Sequence, residues 1–572
     1  MNKNIEKLTS KLQENNLDFY VIFSRDEFFS EYVPEHKQYL KAICGFTGSN
    51  GILIVGLNER IFLTDGRYVL QAQKQVKDAK IVNLADFKLS DFIAQNKDKK
   101  IAFDAQIISQ NQAQYYLTIS KNLVFLDESL INFVLRVAQT KLNFAYEYDL
   151  NYAGIDSTSK RKDLCTKFDQ DYFLFTLPDS ICWLLNIRGS DVKCNPILQC
   201  FGILHQNGNF DLFANISQIK DLKLENVNCH DFGDFKSVIA NFSGKIAADL
   251  TFTSHYLHQT LQSSGLKVEN LTDICQAPKA QKNETEIKWA KYGHQKDAIA
   301  LNKFLFWLEN QQHLDEKIAA DKLLEFRAQN KEFKENSFNT ISSFGSNGAV
   351  IHYDFSNNDE VKKFDQKSLY LVDSGGQYFG CTTDVTRVIA YGGDPDQEQI
   401  ENFTRVLKGN LAISRLKFPK GITGSQIDVL GRYYLWSDFK DYEHGTGHGV
   451  GSFLSVHEGP QSISKRNNNI ALKEGMIISN EPGYYKEGEY GIRIENLLLV
   501  EKCPENDNFL QFNTLTLAVI DHRLINFKML TYPEKKWLIN YHQRILDEIG
   551  QYLNENELNW LKKIVQIYKQ AC

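Results

Sequence analysis

Residues 371–384 read LVDSGGQYFGCTTD, and three later segments, EHGTGHGVG, SNEPGYY and GIRIENLLLV, carry His448, Glu481 and Glu495. Asp373, Asp384, Glu481 and Glu495 each stand at the edge of a β-type apolar run or a Gly-rich turn. A fold that draws four carboxylates into such places must bring in balancing charge, because an unpaired buried charge is costly. Two divalent cations meet that need, four positive charges against four negative, with His448 as a neutral ligand. The set is complete for two metal ions with room for a bridging water, whose pKa such a pair lowers. Singly the residues have ordinary readings: Asp373 near Gly375 and Gly376 as a turn residue, Glu481 before Pro482 as a solvated carboxylate, Glu495 as a partner of Arg493. Their order, with HGTGHGVG between the two pairs, makes the joint pattern metal-binding.

Local patterns say how the ligands meet. Asp373 ends the apolar run from Leu369 to Val372, Gly375 and Gly376 allow a turn, and Asp384 begins the returning strand. A hairpin therefore joins two carboxylates that are 11 residues apart. Glu481 follows a strand, MIISN, which Pro482-Gly483 ends. In GIRIENLLLV the apolar residues do not alternate, so both faces of that segment are expected to be buried. An oxygen-rich set with one imidazole suits Mn²⁺ first, with Fe²⁺, Co²⁺ or Zn²⁺ as alternatives. Cys381, between the two aspartates, reads as a small buried side chain.

Three further histidines surround the set. His444 lies four residues before His448, His457 nine after it, and His352 in AVIHYDFS about 20 residues before Asp373. Glycines at 445, 447, 449 and 451 let the backbone come close to a ligand. Imidazoles beside an activated water can donate to an oxyanion or shuttle protons.

The 572 residues predict two to four domains. A net charge of −6 gives no sign of a polyanion partner, so no nucleic-acid partner is expected. The first residues lack the apolar core of a signal peptide, and no run reaches the ~18 apolar residues of a membrane span, so no membrane partner is expected. Ten cysteines without a CxxC pair read as reduced thiols, and the expected location is cytoplasmic.

Along the chain, Ile5, Leu8 and Leu12 mark a helix, DFYVIF a strand, and GFTGSNGILIVG with IFLTDGRYVLQAQ a strand, turn, strand and helix. Residues 138–160 lose periodicity and read as a connection. A second α/β unit begins near 161 and looks like a distant repeat of the first. Asn283 with Glu286 forms a capping-box start to a long helix ending near 309. Beyond 340 strands are expected at Ala349–Tyr353, LYLVDSG, DVTRVIAYG, MIISNEPG and IENLLLV, interrupted by one helix with Ile400, Phe403, Leu407 and Leu411 on one face. The tail, 534–569, reads as helical, with Tyr541, Ile545, Ile549 and Leu553 spaced at four, and packs on the domain or on another subunit.

These motifs resemble the Xaa-Pro aminopeptidases (aminopeptidase P), in the metallopeptidase family that shares the pita-bread fold with methionine aminopeptidase and prolidase. The resemblance covers nearly the whole length and is closest to the long, three-domain cytosolic type. It rests on GFTGSNG and TDGRY, on WLLNIRGSDV with Asn195-Pro196, and on VDSGGQY, TDVTR, HGTGHGVGSFLSVHEGP, EPGYY and GIRIEN. It implies an α/β (α+β) chain: creatinase-like domains at 1–140 and 141–280, then a pita-bread catalytic domain with a helical tail at 281–572. It implies a homodimer, and a hydrolase that releases the N-terminal residue from peptides with proline second, through a hydroxide between two metals. By resemblance Asp373, Asp384, His448, Glu481 and Glu495 are the metal ligands and Glu481 is also the general base. His457 stabilises the tetrahedral intermediate, His352 and His444 hold the substrate and its proline, and Arg493 and Tyr485 line the site. The rival readings are a prolidase acting on Xaa-Pro dipeptides and a non-catalytic pita-bread peptide-binding protein. A metal-independent creatinase-like hydrolase lacks this ligand set.

Overall fold

The computed structural model describes residues 3–135, 143–357 and 360–571. They form two compact units, Met1–Leu150 with Ile155–Cys275, and Asn151–Gly154 with Gln276–Cys572. Among the described residues no helix is long and apolar enough to cross a membrane.

The first unit opens on α1 (Lys3–Glu14), which buries Ile5, Leu8 and Leu12 as their spacing predicts. Its first sheet contains β1 (Phe19–Phe23), β2 (Ile52–Gly56), β3 (Arg60–Thr64), β4 (Lys80–Asn83), β5 (Ile101–Asp104) and β6 (Leu123–Leu126), in the order β4-β3-β2-β1-β5-β6. The second contains β7 (Tyr172–Phe175), β8 (Phe201–His205), β9 (Phe210–Ala214), β10 (Val227–Asp231), β11 (Lys245–Ala248) and β12 (Lys267–Asn270), in the order β10-β9-β8-β7-β11-β12. The two orders are the same, counted from each sheet's first strand. The directions also match: the first strand runs antiparallel to the second and parallel to the fifth in both sheets. The repeat that is faint in the residues is therefore explicit in the topology. β1 and β7 are apolar throughout or nearly so because both are central strands, covered on two faces. Part of the 138–160 connection, 138–142, lies outside the described residues. The remainder holds a two-residue strand, Tyr146–Glu147, and the short helix Leu150–Ala153.

The second unit opens on α2 (Glu284–Glu309). The Asn283 side chain accepts from the Glu286 N–H at 3.0 Å, and the Glu286 carboxylate accepts from the Asn283 N–H at 2.9 Å, as the capping box predicts. After α3 (Glu316–Ala328), three antiparallel strands, β13 (Ile341–Phe344), β14 (Ser368–Ser374) and β15 (Val385–Tyr391), lie in the order β13-β14-β15. Two helices follow, α4 (Gln397–Ser414) and α5 (Gly424–Trp436), where one was expected. The second is hard to see because Gly424 and Gly431 interrupt its apolar period; both meet backbone or side chains where a Cβ would not fit.

A six-stranded sheet completes the unit. It contains β16 (Lys417–Pro419), β17 (Gly447–Gly449), β18 (Glu458–Ile463), β19 (Ile477–Asn480), β22 (Asn496–Lys502) and β23 (Phe509–Thr514), ordered β16-β23-β22-β19-β17-β18. Between them β20 (Gly483–Lys486) and β21 (Tyr490–Arg493) pair as a hairpin. The IENLLLV run is thus divided: Glu495 stands at the joint between the hairpin and the sheet, buried as expected. The expected strand at Ala349–Tyr353 is absent. Gly345–Ala349 is a 3-10 turn packed against β21, and 350–353 has no ladder partner. The tail is two helices, α6 (Tyr532–Ile549) and α7 (Glu555–Ala571). Tyr541, Ile545 and Ile549 join the second unit's own core, which settles where this face of the tail packs.

Candidate metal centre

β14 and β15 pair with Asp373 opposite Thr386 and Ser374 opposite Val385, and the hairpin extends through Gln377↔Thr382. Asp373 near the end of one strand and Asp384 just before the other therefore converge, as the hairpin reading required. Gly375 is needed at the bend, since a Cβ there would lie 1.9 Å from the Thr383 carbonyl oxygen. Asp373, Asp384 (4 % exposed) and Glu495 (1 %) are all buried.

The carboxylates and imidazoles form overlapping donor sets. Asp373, Asp384 and Glu495 offer oxygens that all lie within 4.8 Å of one another, and so do the ligand atoms of His448, Glu481 and Glu495. A third group, Asp384, His448 and His457, meets the same limit. Asp384, His448 and Glu495 each belong to two of these sets, and a carboxylate that does so, Asp384 or Glu495, is placed to be shared by two ions. His448 Nε2 lies 3.4 Å from both Asp384 Oδ2 and Glu481 Oε1. Its Nδ1–H donates to the Gly449 carbonyl at 2.9 Å, so Nε2 is the nitrogen turned to the carboxylates, and it can ligate a metal once it gives up its proton.

Two observations show that divalent cations fit this donor set. Asp373 Oδ1, Asp384 Oδ1 and Glu495 Oε1 are buried and accept no hydrogen bond from the described residues. Burial and mutual repulsion also push the acids upward: Asp373 to about 7, against the pull of Arg493, and Glu495 well above the usual carboxylate range. Glu481 is raised as well, chiefly by burial. His448 moves the other way, since Asp384 and Glu481 outweigh its burial and hold it near 9. An oxygen-rich cluster that resists ionising alone ionises readily around positive charge.

The remaining predicted residues are gathered beside the carboxylates. Arg493 Nη2 donates to Asp373 Oδ2 at 2.7 Å, and its Nη1 donates to the Tyr485 hydroxyl at 2.7 Å. That hydroxyl donates to His444 Nε2 at 2.7 Å, and His444 Nδ1–H donates to the Gly445 carbonyl at 2.7 Å. A carbonyl can only accept, so the tautomer is set from that end. Burial and the Arg493 charge hold His444 neutral, its pKa well below the usual imidazole value. The His457 ring stands edge-on to His448, with centroids 4.3 Å apart. His352, in the loop after the 3-10 turn, is near enough to add to the lowering of His444.

Sequence reasoning missed the residues that hold these groups in place. Thr386 O–H donates to Glu495 Oε2 at 2.7 Å and accepts from Arg493 Nε at 3.2 Å. Ser479 O–H donates to Glu481 Oε1 at 3.1 Å and accepts from the His448 N–H at 2.9 Å. Arg432, paired with Asp428 at 2.7 Å, donates to the His444 carbonyl at 2.8 Å. Strand alternation offered a signal for Thr386, which is two residues from Asp384 and on the same face. Ser479 stands at the same spacing before Glu481, whereas Arg432 comes from α5 and had no signal.

Two oxygen-rich donor sets sharing a carboxylate, with imidazoles alongside, define a metallohydrolase site for a pair of ions. Comparison with known proteins gives the same class. "Metallopeptidase family M24" matches residues 289–502, and "C-terminal region of peptidase_M24" matches 508–567. "Creatinase/Prolidase N-terminal domain" matches twice, at 4–132 and 137–286. Xaa-Pro aminopeptidase 1 of Dictyostelium discoideum is 34% identical, over 99% of this chain and 96% of its own. A probable Xaa-Pro aminopeptidase P of Coprinopsis cinerea is 35% identical, over 98% of this chain and 97% of its own. The crystal structure of X-prolyl aminopeptidase from Caenorhabditis elegans, described as a cytosolic enzyme with a di-nuclear active site, superposes with a TM-score of 0.92. It is 29% identical and covers 98% of each chain. The chain belongs to metallopeptidase family M24, among the Xaa-Pro aminopeptidases.

Proposed function

We propose that the protein removes the N-terminal residue from peptides with proline at the second position, using two divalent ions, Mn²⁺ by preference. The overlapping donor sets that meet at Glu495, with their orphaned oxygens, carry this reading. Asp373 would hold one ion, His448 and Glu481 the other, and Asp384 and Glu495 both. When bound, the ions supply Lewis acidity and a water acidic enough to attack near neutral pH.

The chain's own residues do the rest. Asp373 receives the peptide's α-amine. Glu481 takes the proton from the attacking water and passes it to the departing proline nitrogen. His457 donates to the oxygen that gains charge as the carbonyl is attacked. Both ring nitrogens of His444 are engaged within the protein, so it offers its face, with His352, as a wall for the proline ring. An amide to proline nitrogen has no N–H, and a pocket of imidazole and tyrosine rings asks for none.

Turnover of an Arg-Pro-Pro-type tripeptide and of an Xaa-Pro dipeptide, by the metal-stripped protein before and after Mn²⁺, tests the reading. Metal-dependent release of the first residue from the tripeptide is expected. Cleavage of the dipeptide alone would make the protein a prolidase, and cleavage of neither under several metals would make it a peptide-binding protein.

The three-part division 1–140, 141–280 and 281–572 is part of the same proposal, supported by the two separate sheets of the first unit. So is a cytoplasmic location, supported by the free thiols of the described cysteines. A homodimer is supported by Val429, Tyr433 and Trp436, exposed at helical spacing on α5, with Phe439 exposed beyond it.

A further inference from the structure

Glu495 stands in two of the three donor sets, so with two ions bound its placement acts on both. Its carboxylate is held by Thr386, and its N–H donates to the Thr386 carbonyl at 3.2 Å. Its carbonyl is held from elsewhere: Arg387 Nη1 donates to it at 2.6 Å and to the Thr386 carbonyl at 2.8 Å. The same guanidinium thus grips both chains of the contact that carries the ligand.

Arg387 is itself buried (2 % exposed) and spends its donors on neutral acceptors. Nε reaches the Val519 carbonyl at 3.1 Å. Nη2 reaches Asn496 Oδ1 at 2.8 Å, the Ala518 carbonyl at 2.9 Å and the Tyr541 hydroxyl at 2.9 Å. Tyr541 lies on α6, in the tail that the proposed mechanism leaves unused. Its hydroxyl donates to the Ala518 carbonyl at 3.0 Å and accepts from the Ala518 N–H at 3.1 Å, so it ties the 518 segment to the guanidinium at one point. The ring stacks on Trp537, with centroids 4.9 Å apart and planes 11° from parallel, so the hydroxyl has little freedom to leave.

We propose that Tyr541 is a positioning residue for the shared ligand Glu495, acting through Arg387, so that the C-terminal helix sets how tightly the centre holds its ions. The inference rests on the two-ion reading above. A guanidinium is a rigid planar fork. Loss of an acceptor at Nη2 loosens that arm of the fork, and because the guanidinium is one rigid plane the shift is passed to Nη1 and so to the Glu495 backbone.

Tyr541→Phe keeps the stacked ring and removes only the hydroxyl. Tyr568→Phe is the control: Tyr568 lies on α7, is buried, and donates to the Ile520 carbonyl at 2.8 Å, in the same segment but on no atom of Arg387. Mn²⁺ binding is titrated on the full chain, with metal per chain counted after dialysis against buffered Mn²⁺. Thermal melting of the stripped proteins reports fold. The wild type is expected to hold two ions. Tyr541→Phe should weaken at least one by roughly 10- to 100-fold, the usual effect of losing a partner behind a metal ligand. Tyr568→Phe should bind as the wild type does. If Tyr541→Phe does not fold, Asn496→Ala removes another Nη2 acceptor and is expected to give the same shift. Wild-type affinity in Tyr541→Phe, or an equal shift in Tyr568→Phe, overturns the proposal. A wild type that binds no metal would overturn the two-ion reading itself.

Discussion

Gly348 and Gly491 meet backbone to backbone: a Cβ built on Gly491 would lie 1.7 Å from the Gly348 carbonyl oxygen, and one on Gly348 would lie 2.9 Å from the Gly491 nitrogen. The contact joins the 3-10 turn that leads to His352 with β21, which ends at Arg493. Two site residues that are far apart in the chain are thus set against each other by the absence of two side chains.

Gly491→Ala should force that contact apart. Inserting a methyl where nothing can yield costs about 1–3 kcal/mol. The melting temperature should fall, and the Michaelis constant for a proline peptide should rise as the His352 loop moves. An unchanged Michaelis constant in a folded Gly491→Ala protein would mean that this loop does not meet substrate.

Tyr485 links Arg493 to His444 through two bonds of 2.7 Å. Tyr485→Phe removes both and leaves Arg493 on Asp373 and Thr386. His444 then lacks the donor that fixes its ring. A fall in kcat/KM of about tenfold, or 1.4 kcal/mol, is expected, with two ions still bound. Steady-state kinetics on the tripeptide, beside a metal count, checks this.

Removing the ions should lower stability. A ligand present at about 1,000 times its dissociation constant adds about 4 kcal/mol to the state that binds it. Saturating Mn²⁺ should therefore raise the melting temperature of the stripped protein by roughly 10 °C. Asp384→Asn, which removes one ligand charge, should lose metal and activity together and show a much smaller shift. Full turnover with two ions in that variant would refute the ligand assignment.

Asn283 is a cap rather than a site residue. Asn283→Ala should cost about 1 kcal/mol of stability by freeing the first N–H groups of α2, without changing the metal count. A loss of metal in this variant would show that the helix start communicates with the centre.

Much of this protein is local, and what is local was legible in the residues. Apolar runs with no polar alternation marked the central strands β1 and β7 because both their faces are covered. The Asn283–Glu286 pair marked a helix start because the bonds that make it span three residues. The donor set was legible because metal-binding side chains are few in kind, and the Gly375 turn brings Asp373 to Asp384 within one hairpin. Other features required the tertiary structure. The 349–353 segment has the composition of a strand, yet it leaves a 3-10 turn whose Gly348 meets Gly491 backbone to backbone, and it enters no ladder. The tail has an apolar face, but only packing shows that Tyr541 reaches Arg387, 154 residues away, and that Arg387 in turn grips Glu495 at a separation of 108. A residue's type and its neighbours determine what it can donate or accept. Which partner it meets depends on register and packing between elements that the chain brings together only when folded.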